Sequence, residues 1–337
     1  MTTRPRFRRL PLWLLTAAMA AVGLAQAAAL PEPRTGAMAQ VLGRTDRLLV
    51  VLPAEGDTLP ALAERFLGRA DRAFWLGDGT AAAAGQPLIV PLLHPNPTGL
   101  QDDSFQTVPI LSYHRFGDQA SKMVVTPDAF DAQLQALADG GYRVQRLGAL
   151  RGFLSVEEAL PAKSVVITVD DGHESFYRLA FPLLKKHAVK VTLFVTTDTV
   201  GTRDAITWLQ LQEMMATGLV DVQAHSKSLR NLAERAPGEA DLAYRRGLEL
   251  EVQLSRKAIE QRLPGVTVVH FAYPFGQANA HVIETLQRNA FELGLTMNPG
   301  SNAFYAHPYT LNRTMVLGEH SLDDFKARLQ VRKALAP

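Results

Sequence analysis

The sequence predicts an α/β fold built on a largely parallel β-sheet and preceded by a small separate module. From Val108 onward, short β-branched and leucine-rich runs alternate with segments whose apolar residues recur at helical spacing, a pattern typical of repeated β-α units. Polar side chains follow several of these runs directly, which is where parallel sheets collect their chemistry. Residues 47–93 show a shorter pattern of their own, so we expect two domains in this 337-residue chain.

The first 27 residues have the features of a secretory signal peptide. Four arginines precede an apolar stretch over residues 10–24, which is short for a membrane span, and Ala25-Gln26-Ala27 is a small-x-small cleavage site. An uncleaved membrane anchor is the alternative. We expect cleavage after residue 27, export to the periplasm or the outside of the cell, and no stable membrane span in the mature protein.

Charge gives no support for a nucleic-acid partner, and the absence of cysteine excludes one kind of anchor. Removal of residues 1–27 takes away four arginines and no acid, so the formal net charge changes from +2 to −2. This charge gives no reason to expect a nucleic-acid partner. The chain has no cysteine, which excludes disulfides and a cysteine-linked lipid anchor. The mature protein must therefore be held together by its core.

The small module shows the order β-α-α-β. Strands are expected over residues 47–52 and 85–91, with a helix from Leu59 that ends at Gly68 and a second short helix after it. Residues 28–46, which precede the module and contain two prolines, are expected to form a flexible lead-in.

This order, with Gly56-Asp57-Thr58-Leu59 at the first turn and Gly-Gln-x-Leu-x-Val-Pro over residues 85–91, resembles a LysM domain. The resemblance implies that residues 47–93 bind chains of N-acetylglucosamine, as in peptidoglycan or chitin. A small packing module without a ligand is the alternative. The proline-containing residues 94–107 are expected to be a linker, and residues 108–330 the large domain.

The large domain is expected to alternate strands with helices. Thr126-Pro127 is a helix cap followed by proline at the first helical position, and Gly140-Gly141 ends that helix. Strands are expected over residues 108–113, 164–169, 189–195, 220–224, 266–271, 291–296 and 309–311. Further helices are expected around residues 179–184, 209–217, 241–262, 282–289 and 322–329.

Polar residues follow four of these strands: His114, Asp170 with Asp171, His225 with Ser226, and residues 273–276. Because the carboxyl ends of parallel strands meet at one edge of the sheet, we expect these side chains to form one site. One carboxylate could bind a metal while its neighbour acts as a base, whereas two solvated acids in a turn are the alternative. A glycosidase pair is disfavoured, since its carboxylates usually come from different strands.

With these motifs, the large domain resembles the polysaccharide deacetylase (NodB-homology) family, the family-four carbohydrate esterases. Thr168-Val169-Asp170-Asp171-Gly172 is similar to the family's T-F-D-D-G motif. The resemblance implies a distorted (β/α) barrel that removes acetyl groups from polymers of N-acetylglucosamine, either peptidoglycan or an exported biofilm polysaccharide. It implies that Asp170 is the catalytic base and Asp171 a metal ligand.

The family's second motif, H-[S/T]-x-x-H, is incomplete in this chain, because Leu229 stands where the second histidine would be. The resemblance implies a divalent metal, zinc first with cobalt or nickel as alternatives, bound by Asp171 and His225. Catalytic zinc usually has three protein ligands. Water or another side chain, such as His173, would fill the third position. Alternatively, the protein is an impaired deacetylase that only binds glycan.

The third motif, R-x-P-[Y/F], has Ala272 in place of the arginine that orients the base in the family. Some deacetylases of exported poly-N-acetylglucosamine are similar here, and this implies that Tyr273, Pro274 and Phe275 bind substrate. Core packing at a turn is the alternative for Tyr273.

The C-terminal L-x-x-H motif, which supplies the general acid in the family, is not found. Arg313 lies near the place where its histidine would be. The same subgroup shares a Tyr-His pair after the first strand, so the resemblance implies His114 as the assisting acid. A structural histidine is the alternative.

Overall fold

The computed structural model describes residues 38–94 and 96–335. It divides the chain into two compact units, Met1–Leu93 and His94–Pro337. The expected signal peptide lies outside the described residues. Within the described part, no helix is both long and apolar enough to cross a bilayer.

The first unit is a three-stranded antiparallel sheet with a helix packed against it. Its strands are β1 (Gln40–Arg44), β2 (Leu48–Leu52) and β3 (Leu88–Pro91), arranged in that order. Helix α1 (Leu59–Leu67) and a short 3₁₀ helix (Ala70–Trp75) lie between β2 and β3 in the chain. The Thr58 hydroxyl accepts the Ala61 N–H and caps α1. Leu62, Ala63 and Val51 are the buried centre of this unit.

Strand β1 corrects the flexible lead-in that the sequence predicts over residues 28–46. Four of its five side chains are exposed, so the segment has no alternating apolar pattern. Its backbone pairs with β2, and this pairing makes it a strand. Sequence periodicity reports buried side chains and misses an edge strand held only by its backbone.

The second unit contains the remaining elements. Its strands are β4 (Ser104–Tyr113), β5 (Arg115–Phe116), β6 (Val124–Val125), β7 (Arg143–Gln145), β8 (Ser164–Val169), β9 (Val191–Val195), β10 (Val220–Ala224), β11 (His270–Ala272), β12 (Leu293–Leu295), β13 (Ser301–Ala303), β14 (Thr314–Met315) and β15 (Arg332–Ala334). Its helices are α2 (Pro127–Asp139), α3 (Ala149–Leu154), α4 (Phe181–His187), α5 (Trp208–Ala216), α6 (Asp241–Arg262), α7 (Ala280–Arg288) and α8 (Leu322–Ala327).

Strand β4 begins four residues before the predicted strand start at Val108, inside the predicted linker. Its first half pairs antiparallel with β13 and β15. Both partners come from the last 40 residues of the chain, so a local pattern around residue 104 could not show this pairing.

The main sheet is parallel and curled. Strands β4, β8, β9, β10, β11 and β12 are successive parallel neighbours. At the far edge, the Leu311 N–H donates to Gly294 O at 3.0 Å, and the Leu311 carbonyl accepts from Thr296 N at 2.9 Å. Strand β14 follows and pairs with β4. One short segment therefore contacts both edges of the sheet, which confirms the α/β class and its curled architecture.

The curled sheet has a core on each face. Alternate side chains of each strand point outward against the helices or inward to the enclosed face. The inward set includes Ile110, Val166, Phe194, Leu295 and Leu311. The alternation continues past the strand ends, where polar side chains follow the apolar ones. The enclosed core therefore lies directly beneath the polar side chains that follow the strand ends.

We expect Phe194→Ala to lower the free energy of unfolding by about 3–5 kcal/mol, because it leaves a cavity in the enclosed core. Phe194 is fully buried. The control is Leu209→Ala, since Leu209 is 75% exposed and should stay within about 0.5 kcal/mol of the natural protein. Urea unfolding measures both, and equal losses would contradict the assigned core.

Candidate functional site

The polar residues predicted from the strand ends do come together. His114 follows β4, Asp170 and Asp171 follow β8, and His225 follows β10. His114 Nε2 lies 3.8 Å from Asp170 Oδ2. His225 Nε2 lies 3.5 Å from Asp171 Oδ1. Four groups from three strands therefore form one cluster at the carboxyl edge of the sheet.

The loops that carry these groups have unusual backbone conformations. Left-handed φ values occur at Asp171 (71°), Ser226 (69°), Leu229 (62°) and Phe275 (58°). Such values at residues other than glycine cost about 1–3 kcal/mol each and cluster at functional sites. Beside Asp171, Gly172 has φ 76°, and a Cβ there would lie 3.2 Å from a methyl of the neighbouring strand β9. This tight turn brings both carboxylates to one edge.

Asp170 forms a buried ion pair with Arg313. Arg313 Nη1 donates to Asp170 Oδ1 at 2.7 Å, and Arg313 Nε donates to Thr296 O at 2.9 Å. The two paired side chains are 0% and 2% exposed. Burial alone would raise the pKa of Asp170, but the charge of Arg313, followed by His225 and His114, holds it below the ordinary value of 3.8. Asp170 is therefore ionised at neutral pH, and its second oxygen faces His114.

Arg313 is a residue of the cluster to which sequence reasoning assigned no role. The sequence has Ala272 where an arginine that orients the base is expected, and it has Arg313 near the position expected for the general-acid histidine. In the structure, Arg313 leads into β14 and pairs with the carboxylate predicted to be the base. The available signal was a single arginine in the otherwise uncharged residues 309–316, and pairing it with Asp170 requires the curled sheet.

Asp171 lies between two histidines. His173 Nε2 is 3.2 Å from Asp171 Oδ2, opposite the oxygen that faces His225. Burial raises the pKa of Asp171, but the hydrogen bond from His173 and the charge of His225 outweigh it and lower the pKa to about 2. His225 Nδ1 donates to Ala272 O at 2.8 Å, which fixes the ring with Nε2 facing Asp171.

These donors satisfy part of a metal site. Ligands bonded to zinc at about 2.0–2.2 Å have donor atoms separated by roughly the 3.5 Å seen between Asp171 Oδ1 and His225 Nε2. However, no three histidine, cysteine, aspartate or glutamate side chains in residues 38–94 and 96–335 are placed to hold one ion. Leu229 is half-buried and contributes no donor. The set is one donor short of a three-ligand zinc site.

His114 is mostly buried, with 15% of its side chain exposed. Burial lowers its pKa more than the charges of Asp170 and Asp171 raise it. The ring is therefore uncharged at neutral pH. Its 3.8 Å separation from Asp170 is too long for a hydrogen bond and leaves the second oxygen of Asp170 without a strong partner on that side.

The residues after β11 divide into core and surface. Tyr273 is fully buried, and its hydroxyl donates to Tyr309 O at 2.8 Å. Pro274 is also buried. The structure therefore corrects the direct substrate contact expected for Tyr273 and Pro274, since both side chains pack in the core. Phe275 is 64% exposed, so it alone of the three presents its side chain to solvent.

Comparisons with known proteins agree on one domain type. A family model described as polysaccharide deacetylase matches residues 157–294. YxkH of Bacillus subtilis, ascribed to the polysaccharide deacetylases, is 26% identical over 67% of this chain and 77% of its own length. The poly-β-1,6-N-acetyl-D-glucosamine N-deacetylase of Escherichia coli is 24% identical over 65% of this chain, which spans 38% of that protein.

A solved structure supports the same domain. The chain superposes on the Streptococcus pyogenes deacetylase PplD, solved in complex with acetate, with a TM-score of 0.60 and 27% identity. The match covers 66% of this chain and 98% of the other. The large unit therefore shares its fold with a deacetylase over nearly the whole length of that protein.

We expect Arg313→Met to lower the free energy of unfolding by about 3–5 kcal/mol at neutral pH, because it leaves Asp170 buried and unpaired. The pKa of Asp170 should rise in this variant. As pH falls, the difference in the free energy of unfolding between the two proteins should narrow. It narrows first when Asp170 of the variant is protonated. It narrows again below pH 3.8, where the natural protein begins to lose the stability that the ion pair contributes. Urea unfolding between pH 3 and 7 tests this.

The control for this prediction is the double variant Arg313→Met with Asp170→Asn. It removes both charges and should recover most of the lost stability. Equal losses in the single and double variants, independent of pH, would show that Arg313 acts through packing alone.

Proposed function

We propose that this chain, a hydrolytic enzyme with a polysaccharide deacetylase domain, removes acetyl groups from N-acetylglucosamine residues of a polysaccharide. The observation that carries the proposal is the ionised carboxylate of Asp170, paired with Arg313 at 2.7 Å and adjoining Asp171, His225 and His114. A buried carboxylate held ionised beside uncharged imidazole is suited to proton transfer during acyl hydrolysis.

The roles of the chain's own residues follow from this geometry. Asp170 would accept a proton from the attacking water through Oδ2, since Oδ1 is bonded to Arg313. Arg313 would keep the carboxylate oriented and ionised. His114 is uncharged before the reaction. The proton would pass from Asp170 to His114 Nε2 and from there to the departing amine. The side chain of Asp171 is one-quarter exposed, so water would reach the cluster beside this residue.

A divalent metal is part of the proposal, with zinc first and cobalt or nickel as alternatives. Asp171 and His225 would hold it, with water at the remaining positions, and two protein donors imply weak binding. Such an ion would supply Lewis acidity toward the acetamide carbonyl.

The substrate we favour is exported poly-N-acetylglucosamine, with peptidoglycan as the other polymer of this chemistry. The Escherichia coli relative named for poly-β-1,6-N-acetyl-D-glucosamine supports the first. A LysM-like role for residues 47–93 would add a second contact with the same polymer. The protein would act after export, in the periplasm or outside the cell.

A glycan-binding protein without turnover is the second candidate function. The observation that favours it is Leu229, which leaves the described residues without a third metal donor. In this case the site would grip N-acetylglucosamine units without releasing acetate. The two functions differ in acetate release and in their response to chelators.

We expect the natural protein to release acetate from β-1,6-linked N-acetylglucosamine oligomers, and Asp170→Asn to lower kcat by about 10²–10⁴-fold, since base catalysis contributes that much. Acetate is measured with and without zinc, cobalt or a chelator. Asp139→Asn, an exposed carboxylate on α2, is the control and should be fully active. Undiminished turnover by Asp170→Asn would refute its assignment as base. Chelator-insensitive glycan binding without acetate release would support the binding protein.

We expect Phe275→Ala to raise KM on the order of three- to tenfold, equivalent to about 1 kcal/mol, with kcat little changed. The reason is loss of an exposed ring that can lie against a sugar. Tyr305→Ala is the matched control, because Tyr305 is 63% exposed but lies beside Phe105 near the amino end of β4. Equal effects of both variants on KM would exclude Phe275 from the substrate site.

A further inference from the structure

The loop that follows His225 has an acceptor for each of three successive backbone N–H groups. Lys227 N and Ser228 N both donate to Glu251 Oε2 at 2.9 Å. Leu229 N donates to the Ser226 hydroxyl at 3.1 Å. The Ser228 hydroxyl donates to the other oxygen of Glu251 at 2.5 Å. One carboxylate therefore takes three of the loop's hydrogen bonds.

The opposite side of the loop is bonded to the segment after β9. Ser226 O accepts from Thr197 N at 3.3 Å, and Lys227 O accepts from Asp198 N at 2.9 Å. The loop is therefore held between the backbone after β9 and the side chain of Glu251. The Lys227–Asp198 ion pair at 2.6 Å is substantially exposed, and exposed ion pairs contribute little to stability.

This loop needs external support because of its backbone. Two left-handed φ values at residues other than glycine, Ser226 and Leu229, occur within four positions. Its internal hydrogen bond from Leu229 N to the Ser226 hydroxyl leaves the N–H groups of residues 227 and 228 to be bonded from outside the loop. A carboxylate bonded to two successive N–H groups makes charge-assisted bonds and fills the concave backbone that such turns create.

Glu251 is well placed to give that support. It lies on α6, the 22-residue helix, and its neighbours Leu248, Val252 and Ser255 are buried. The helix is therefore fixed to the sheet on the face next to Glu251. His225 is two residues before the first N–H that Glu251 binds, and its ring must keep Nδ1 on Ala272 O for Nε2 to face Asp171.

We propose that Glu251 is a positioning residue for the candidate site: it holds the loop after β10 so that the His225 ring faces Asp171. Glu251 touches neither ring nor carboxylate of that pair and acts through the loop backbone. The inference rests on the proposed function for its effect on turnover, but its effect on His225 is independent of any activity.

The test compares Glu251→Ala and Glu251→Gln with Glu249→Gln. Glu249 is a matched control two residues earlier on α6, where its carboxylate bonds Arg288 and Asn289 and not the loop. Three quantities are measured: amide hydrogen exchange at Lys227 and Ser228, the ¹⁵N signals of the His225 ring, and kcat and KM for acetate release.

For Glu251→Ala we expect exchange at both amides to rise about tenfold or more and the His225 ring to lose its fixed Nδ1–H form. We expect kcat to fall about tenfold or more, as for supports of a site residue, with KM within about twofold. Glu251→Gln should be intermediate, because its amide oxygen still accepts from the loop. Glu249→Gln should match the natural protein in all three measurements.

Unchanged exchange at residues 227 and 228 in Glu251→Ala would overturn the proposal, and so would faster exchange with an unaltered His225 ring and unaltered kcat. If the natural protein releases no acetate, the proposed function fails separately, and the exchange and ring signals still decide the assignment of Glu251. Glu251→Gln keeps the size and shape of the side chain, so it serves if Glu251→Ala does not fold.

Discussion

The buried ion pair between Arg313 and Asp170 is the interaction on which the site depends. A carboxylate that is 2% exposed would be protonated without a partner, because burial penalises its charge. Arg313 supplies that partner from the segment that contacts both edges of the curled sheet. The ion pair therefore forms only when the residues before β14 lie against the curled sheet, and the charge of Asp170 depends on that packing.

Much of the site could be predicted from the sequence because it depends on local rules. Asp170, Asp171, His225 and His114 each follow a strand, and parallel strands bring their ends to one edge. The partner of Asp170 could not be predicted, because Arg313 lies 143 residues away. The burial of Tyr273 could not be predicted either, because the sequence pattern of an aromatic residue after a strand is the same whether its side chain faces the core or a ligand. The edge strand β1 and the start of β4 depend on backbone pairing with distant or exposed segments.

The site combines a carboxylate held ionised by Arg313 with a set of metal donors that is incomplete among the described residues. Asp171 and His225 have the separation of neighbouring metal ligands, whereas Leu229 provides no donor. The loop between His225 and Leu229 nevertheless keeps two left-handed residues and a dedicated carboxylate, Glu251. This costly conformation and its bonded carboxylate favour a loop whose position matters to the site, as the proposed turnover requires.

The most direct measurement is a ¹³C titration of the Asp170 carboxyl in the natural protein and in Arg313→Met. Asp170 should remain ionised to below pH 3.8 in the natural protein and should titrate well above that value in the variant, because the charge of Arg313 offsets its burial. An identical titration of Asp170 in both proteins would show that Arg313 does not set the charge of this carboxylate, and would contradict the dependence of the site on their ion pair.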